Sequence, residues 1–119
     1  MANQNAKGLK RLVNACFFSM AGFKATWQHE EAFRQEVSLF IITTPLALWL
    51  GNSPIEKVLL IGSVVLVLLV ELLNSAVEAV VDRVGFEHHE LSGRAKDIGS
   101  AAVMLSLLWA AATWALILL

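Results

Sequence analysis

Glu71, Asn74, Glu78 and Asp82 stand in an otherwise apolar stretch, spaced by three, four and four, with Ser75 beside Asn74. On a helix these spacings make one polar stripe. Carboxylates within a membrane helix are costly and normally face a bundle interior or a site. Asn74 and Ser75 alone would serve to fix helix packing through hydrogen bonds. Two further glutamates exceed that need, and glutamate can either accept a proton from a reacting hydroxyl or ligate a hard cation. If the helix enters the bilayer from outside near Ile55, Glu71 lies about 24 Å along it and Glu78 about 10 Å farther. One group then samples the lipid–water boundary and the other the cytoplasm. A transporter would place its ionisable group near the midplane, open alternately to both sides. A stripe open to one side points instead to chemistry on a lipid headgroup with a soluble co-substrate.

Two more segments face the same compartment. In His29-Glu30-Glu31-Ala32-Phe33-Arg34-Gln35-Glu36, the four-residue step from Glu30 to Arg34 also suits a plain helix-surface ion pair. In Glu87-His88-His89-Glu90-Leu91-Ser92-Gly93-Arg94-Ala95-Lys96-Asp97, the histidines with Glu90 suggest a metal site. Adjacent histidines point to different sides of a helix or strand, however, so a solvated loop is the favoured reading. Gly93 with Arg94 and Lys96 could hold phosphate through charge and backbone donors. Neither GxxxxGK[ST] nor GxGxxG occurs, so both standard nucleotide-binding loops are absent from the sequence.

The elements that position these residues follow from composition and hydropathy. The chain has 119 residues, 57% hydrophobic and 16% charged, with mean hydropathy +0.66. A soluble domain this small needs more polar surface than that, so an all-α membrane protein of one domain, residues 1–119, is expected. The net charge of −1 excludes a generally basic nucleic-acid binder. The single cysteine, Cys16, excludes an intramolecular disulfide framework. No apolar leader with a small-residue cleavage site opens the sequence, so no removed signal peptide is expected.

Three spans are expected, at about 32–50, 55–81 and 98–119. Ile98 to Leu119 is free of charge over 22 residues, enough for about 33 Å of helix. The first span is the weakest: Pro45 interrupts it, and Gly51-Asn52-Ser53-Pro54 signals a loop. A re-entrant or interfacial helix is the alternative there. Ahead of the spans, over about 6–28, Leu9, Val13, Cys16, Met20, Phe23 and Trp27 form one apolar helical stripe. Such a basic amphipathic helix either lies in the membrane interface or packs as core against its neighbours.

Val70-Glu71-Leu72-Leu73-Asn74-Ser75-Ala76-Val77-Glu78, continuing through Glu90-Leu91-Ser92-Gly93-Arg94-Ala95-Lys96-Asp97, resembles the prokaryotic membrane-integral diacylglycerol kinase family. Glu30 with Ala32-Phe33-Arg34-Gln35-Glu36 matches its second signature, and the resemblance covers almost the whole chain. It implies a homotrimer in the bacterial inner membrane, with a surface helix and three membrane helices per subunit. It implies transfer of the γ-phosphate of ATP to diacylglycerol, with Mg²⁺. By position, Glu71 would be the proton acceptor, and Glu30 and Glu78 would bind metal and ATP. Arg11, Glu87, His88, His89, Lys96 and Asp97 would line the nucleotide site. Asn74, Arg34 and Ser100 would support the site or contact lipid. The sequence departs from the family pattern at Phe18, at Met20-Ala21 and at His88. Undecaprenol phosphorylation is the related alternative activity, and a small multidrug-type transporter the alternative from another class.

Lys7, Lys10, Arg11, Lys24 and Arg34 stand ahead of the apolar run of the first span, Lys57 alone follows it, Arg83, Arg94 and Lys96 follow the second, and nothing basic follows the third. By the positive-inside rule the N-terminus is cytoplasmic and the C-terminus external. An Asn52→Cys variant in a Cys16→Ala background should therefore react with a membrane-impermeant maleimide added from outside. Labelling from the cytoplasmic side alone would reverse the topology.

Overall fold

The computed structural model describes residues 7–85 and 89–119, which form four helices and, among these residues, no strand. They are α1 (Gly8–His29), α2 (Glu31–Leu50), α3 (Pro54–Val84) and α4 (Glu90–Leu118). The all-α expectation holds. Helices α3 and α4 are each long and apolar enough to cross a bilayer.

Each helix end has a local cause. Glu30 is the one residue between α1 and α2; its backbone is extended, and its N–H donates to the Thr26 carbonyl at 2.9 Å. Arg34 does not pair with Glu30 as its spacing allowed. Its guanidinium donates to the carbonyls of Trp27 (2.6 Å) and Gln28 (3.4 Å), placing a cation on the negative end of α1. Between α2 and α3, Ser53 caps α3 by accepting from the Glu56 N–H at 3.1 Å, and Pro54 opens its first turn. Glu56 reaches back to accept from the Asn52 N–H at 3.2 Å, so the corner satisfies its own donors. Gly51 is required there, because a Cβ would meet Lys57 Cγ at 2.7 Å and the Ala47 carbonyl at 2.9 Å.

Two sequence expectations are corrected. Pro45 does not interrupt α2, which runs through it to Leu50; the missing proline N–H removes one ladder bond without ending the helix. The segment expected as a solvated loop before residue 98 is already helix from Glu90 onward. His89 caps it, its Nδ1 accepting from the Leu91 N–H at 3.0 Å. The Gly93 N–H donates to the His89 carbonyl at 2.9 Å, so it is not a free donor for phosphate.

Helix α3 is the central element: α4 packs on it most extensively and α2 next. Leu60, Val64, Val67 and Glu71 are buried at steps of four, three and four, one face of α3. Against it α4 presents Ser106, Ala110 and Thr113, all buried. Small residues let the two backbones approach closely. Ser106 and Ala110 thus pack within the chain. Trp114 Nε1 donates across to the Leu60 carbonyl at 3.1 Å, and Ser63 Oγ donates to the same carbonyl at 2.8 Å. Helix α1 touches α2 and α3 and buries none of its residues.

The folded chain exposes 8850 Å². A soluble globular chain of 13.0 kDa would expose about 6,300 Å². The excess is largely apolar: Trp49 is 79% exposed and Leu116 81%. Such a surface suits lipid or further protein, not water.

Close packing of α3 on α4 generates a stability prediction. Ala110→Leu, at a site 7% exposed, should destabilise the protein by roughly 1–3 kcal/mol through overpacking. Thermal unfolding in detergent should show a lowered midpoint; an unchanged midpoint would mean that the interface is loose at this position.

Candidate active site

Below the α3–α4 contact, the same α3 face turns acidic. Glu71 is buried at 4% exposure, and Glu78, two turns on, is half-buried on nearly the same side. Glu30, in the α1–α2 corner, is within electrostatic reach of both. Asn74 lies between the two α3 glutamates and its Nδ2 donates to Glu78 Oε1 at 3.3 Å. One Glu71 oxygen, Oε2, is buried without a hydrogen-bond partner.

A groove of about 720 Å³ runs between α1 and α3 beside this cluster. Ser19, Gly22 and Thr26 line it from α1, Ser75, Glu78 and Asp82 from α3, and Glu30 and His29 from the corner. The face of α1 toward α3 is therefore mostly small and polar, whereas Leu9, Val13, Met20 and Trp27 stay exposed. Glu71 itself does not line the groove. It lies about 10 Å along α3 from Glu78, deeper in the apolar part of the helix.

Burial, then repulsion from the Glu78 carboxyl, hold the Glu30 carboxyl above the usual carboxylate range; a hydrogen bond with Glu78 acts in the same direction. Ser75 and His29 partly offset the rise. Two carboxylates that repel at a groove offer hard oxygen ligands of the kind Mg²⁺ takes, since Mg²⁺ usually combines one or two carboxylates with waters and phosphate oxygens. Among the described residues no three His, Cys, Asp or Glu side chains gather as a metal cage. The donor set fits a cation shared with a phosphate substrate.

The remaining residues singled out in the sequence are spread more widely. Lys96 Nζ pairs with Asp82 Oδ1 at 2.8 Å, joining α4 to the end of the stripe, and Asp82 raises the Lys96 pKa. His89 has one ring nitrogen engaged in capping α4. Asp97 lines a separate open depression with Glu90, Gly93 and Arg94. Arg94 approaches Glu90 there at 3.8 Å. Ser100 is exposed on α4. Arg11 is exposed on α1, about 28 Å of helix from Glu30, so one chain does not bring them together. The guanidinium of Arg34 is committed to the end of α1. Glu87 and His88 lie outside the described residues.

Glu36 was given no role from sequence, yet it is buried at 8% exposure, has an unpartnered Oε2 and interacts electrostatically with Glu71. Its signal was positional. Phe33, Glu36, Phe40 and Ala47 fall at steps of three, four and seven, the inward face of α2.

Comparison with known proteins shows the family. The profile of the family described as prokaryotic diacylglycerol kinase matches residues 17–118. The chain is 52% identical to a diacylglycerol kinase of Escherichia coli (strain K12) over 118 residues, covering 99% of this chain and 96% of that one. It is 51% identical to a diacylglycerol kinase of Haemophilus influenzae, covering 90% and 91% respectively. It is 52% identical to one of Pseudomonas aeruginosa, covering 94% and 91%.

The raised Glu30 pKa sets a direction for pH dependence. A group titrating higher in the folded state than in the unfolded one contributes stability that is complete below its ordinary value, near 4.5. That contribution disappears as pH rises through the folded value. In metal-free protein, Glu78→Gln should reduce the loss of thermal stability between acid and neutral pH. An unaltered pH profile would show that the two carboxyls do not interact.

Proposed function

Because the chain belongs to the prokaryotic diacylglycerol kinase family, we propose that the acidic stripe of α3 and the Glu30 corner form the site where it phosphorylates its lipid. The enzyme is a diacylglycerol kinase, a phosphotransferase to an alcohol that takes ATP as co-substrate and yields phosphatidic acid. The carrying observation is the grouping of Glu71, Glu78 and Glu30: two carboxylates two turns apart on α3, with the third in reach of both.

Phosphoryl transfer to an alcohol needs the hydroxyl in line, compensation of phosphate charge and an acceptor for the hydroxyl proton. Glu71 fits the last role. It is buried at 4% exposure, and its unpartnered Oε2 can accept that proton. Glu78 and Glu30 would hold Mg²⁺ at the groove. When bound, the cation would neutralise phosphate charge. Asn74 holds one Glu78 oxygen by a hydrogen bond. The distance between Glu71 and Glu78 leaves room for a γ-phosphoryl group between the lipid end and the nucleotide end. The Lys96–Asp82 pair stands at that nucleotide end and can offer an ammonium to phosphate.

The wider assembly follows from the same reading. α2, α3 and α4 are taken as the three membrane spans and α1 as the surface helix, its exposed Leu9, Val13, Met20 and Trp27 lying against the cytoplasmic leaflet of the inner membrane. A homotrimer is the proposed state. It would cover flanks of α3 and α4 that one chain leaves exposed, and would bring a partner's residues to the distant Arg11 and the exposed Ser100.

Two substitutions separate the roles. Glu71→Gln should reduce turnover about 100- to 10,000-fold while Mg·ATP still binds. Glu78→Gln should weaken metal-dependent nucleotide binding itself, with partial rescue by excess Mg²⁺. Nucleotide affinity and single-turnover rates for both variants check this. Near-normal transfer by Glu71→Gln would remove it as the base.

A further inference from the structure

We infer that Gly99 of α4 is a positioning residue for the reaction, acting on Glu78 through the side chain of Asn74. The inference rests on the reading of Glu78 as a metal ligand and adds how that ligand is held.

A Cβ built at Gly99 would collide with Asn74 Oδ1 and stand 3.1 Å from Asn74 Cγ. The space a side chain would fill at residue 99 is thus occupied by the Asn74 amide. Asn74 Oδ1 is buried there and has no hydrogen-bond partner. On the other side of the same amide, Nδ2 donates to Glu78 Oε1 at 3.3 Å. The amide orientation follows from chemistry: a carboxylate can only accept, so the NH₂ must face Glu78 and the oxygen must face α4. Gly22, Gly62 and Gly93 face open space, whereas Gly51, at the α2–α3 corner, meets the Lys57 side chain and the Ala47 carbonyl.

The collision is selective. Asn74 Cβ would be 3.9 Å from the added methyl, an ordinary contact, so the helices need not separate. The amide is the flexible end and is what must move. Displacing it breaks the bond to Glu78 while leaving the α3–α4 contact at Ser106, Ala110 and Thr113 unaffected. Gly99 therefore does more than allow close packing: its missing side chain gives the amide a fixed seat, and the seat aims a carboxylate seven residues from the proposed base. Partners that orient metal ligands typically change metal affinity 10- to 100-fold when removed.

The test is a double-mutant cycle on the full-length enzyme in lipid. Gly99→Ala should raise the Mg²⁺ concentration for half-maximal transfer roughly 10-fold, with a smaller effect on the rate at saturating Mg²⁺. It should weaken Mn²⁺ binding, read by electron paramagnetic resonance with a non-hydrolysable ATP analogue, by a similar factor. Asn74→Ala should do the same, and adding Gly99→Ala to it should change nothing further. Multiplicative effects in the double variant would overturn the inference, as would an unchanged Mg²⁺ and Mn²⁺ dependence in Gly99→Ala. Should Gly99→Ala fail to fold, recovery of folding in the double variant would support the shared seat. Failure of both to fold would assign Gly99 to helix packing and end the proposal. Glu78→Gln is the reference: if it too leaves metal dependence unchanged, the ligand assignment falls, whereas a response in Glu78→Gln alone rejects only the role of Gly99.

Discussion

Like charges held close in a medium of low dielectric must be balanced, neutralised or forced apart, and this chain collects Glu30, Glu36, Glu71 and Glu78 around one stretch of α3. The protein supplies little to balance them. Asn74 gives Glu78 one hydrogen bond, Ser75 and His29 act on Glu30, and Lys96 pairs directly with Asp82. The rest of the fold makes that arrangement tolerable. Leu60, Val64 and Val67 fasten α3 to its neighbours some turns away, and the Trp114 bond ties α4 to α3 at the same end. The bundle thus has one well-packed end, and another loaded with negative charge that substrate, cation or both would relieve.

That division follows from the two halves of α3. Its first half is apolar and meets small residues of α4; its second half carries the stripe and meets the groove and the corner. Packing energy is concentrated where there is no chemistry. Unbalanced charge is concentrated where packing is thinner, a common relation between stability and function.

Much of this was legible in the residues. The spacing of Glu71, Asn74, Glu78 and Asp82 places them on one helical face whatever the tertiary structure, and the composition leaves little alternative to helices in lipid. Less legible were features set by contacts between helices. Arg34 follows Glu30 by four residues, but the extended backbone of Glu30 ends α1 there and turns the guanidinium toward the α1 carbonyls. The Gly93 segment reads as a solvated loop because its adjacent histidines point to different sides, yet capping by His89 starts α4 ahead of it. The burial of Glu36 depends on which face of α2 meets α3, and its spacing from Phe33 and Ala47 marks that face only once the packing is known. Arg11 lies about 28 Å of helix from Glu30, and spacing along the chain does not reveal that separation.

The corner between α1 and α2 has a mechanical consequence. One residue, Glu30, joins the two helices, and Arg34 together with the Thr26 carbonyl pins the joint. α1 is then a lever of 22 residues, about 33 Å long, pivoting at a carboxylate. A tilt of about 5° would carry its far end roughly 3 Å while displacing Glu30 by only a small fraction of that. The far end of the helix can move while the pivot stays still.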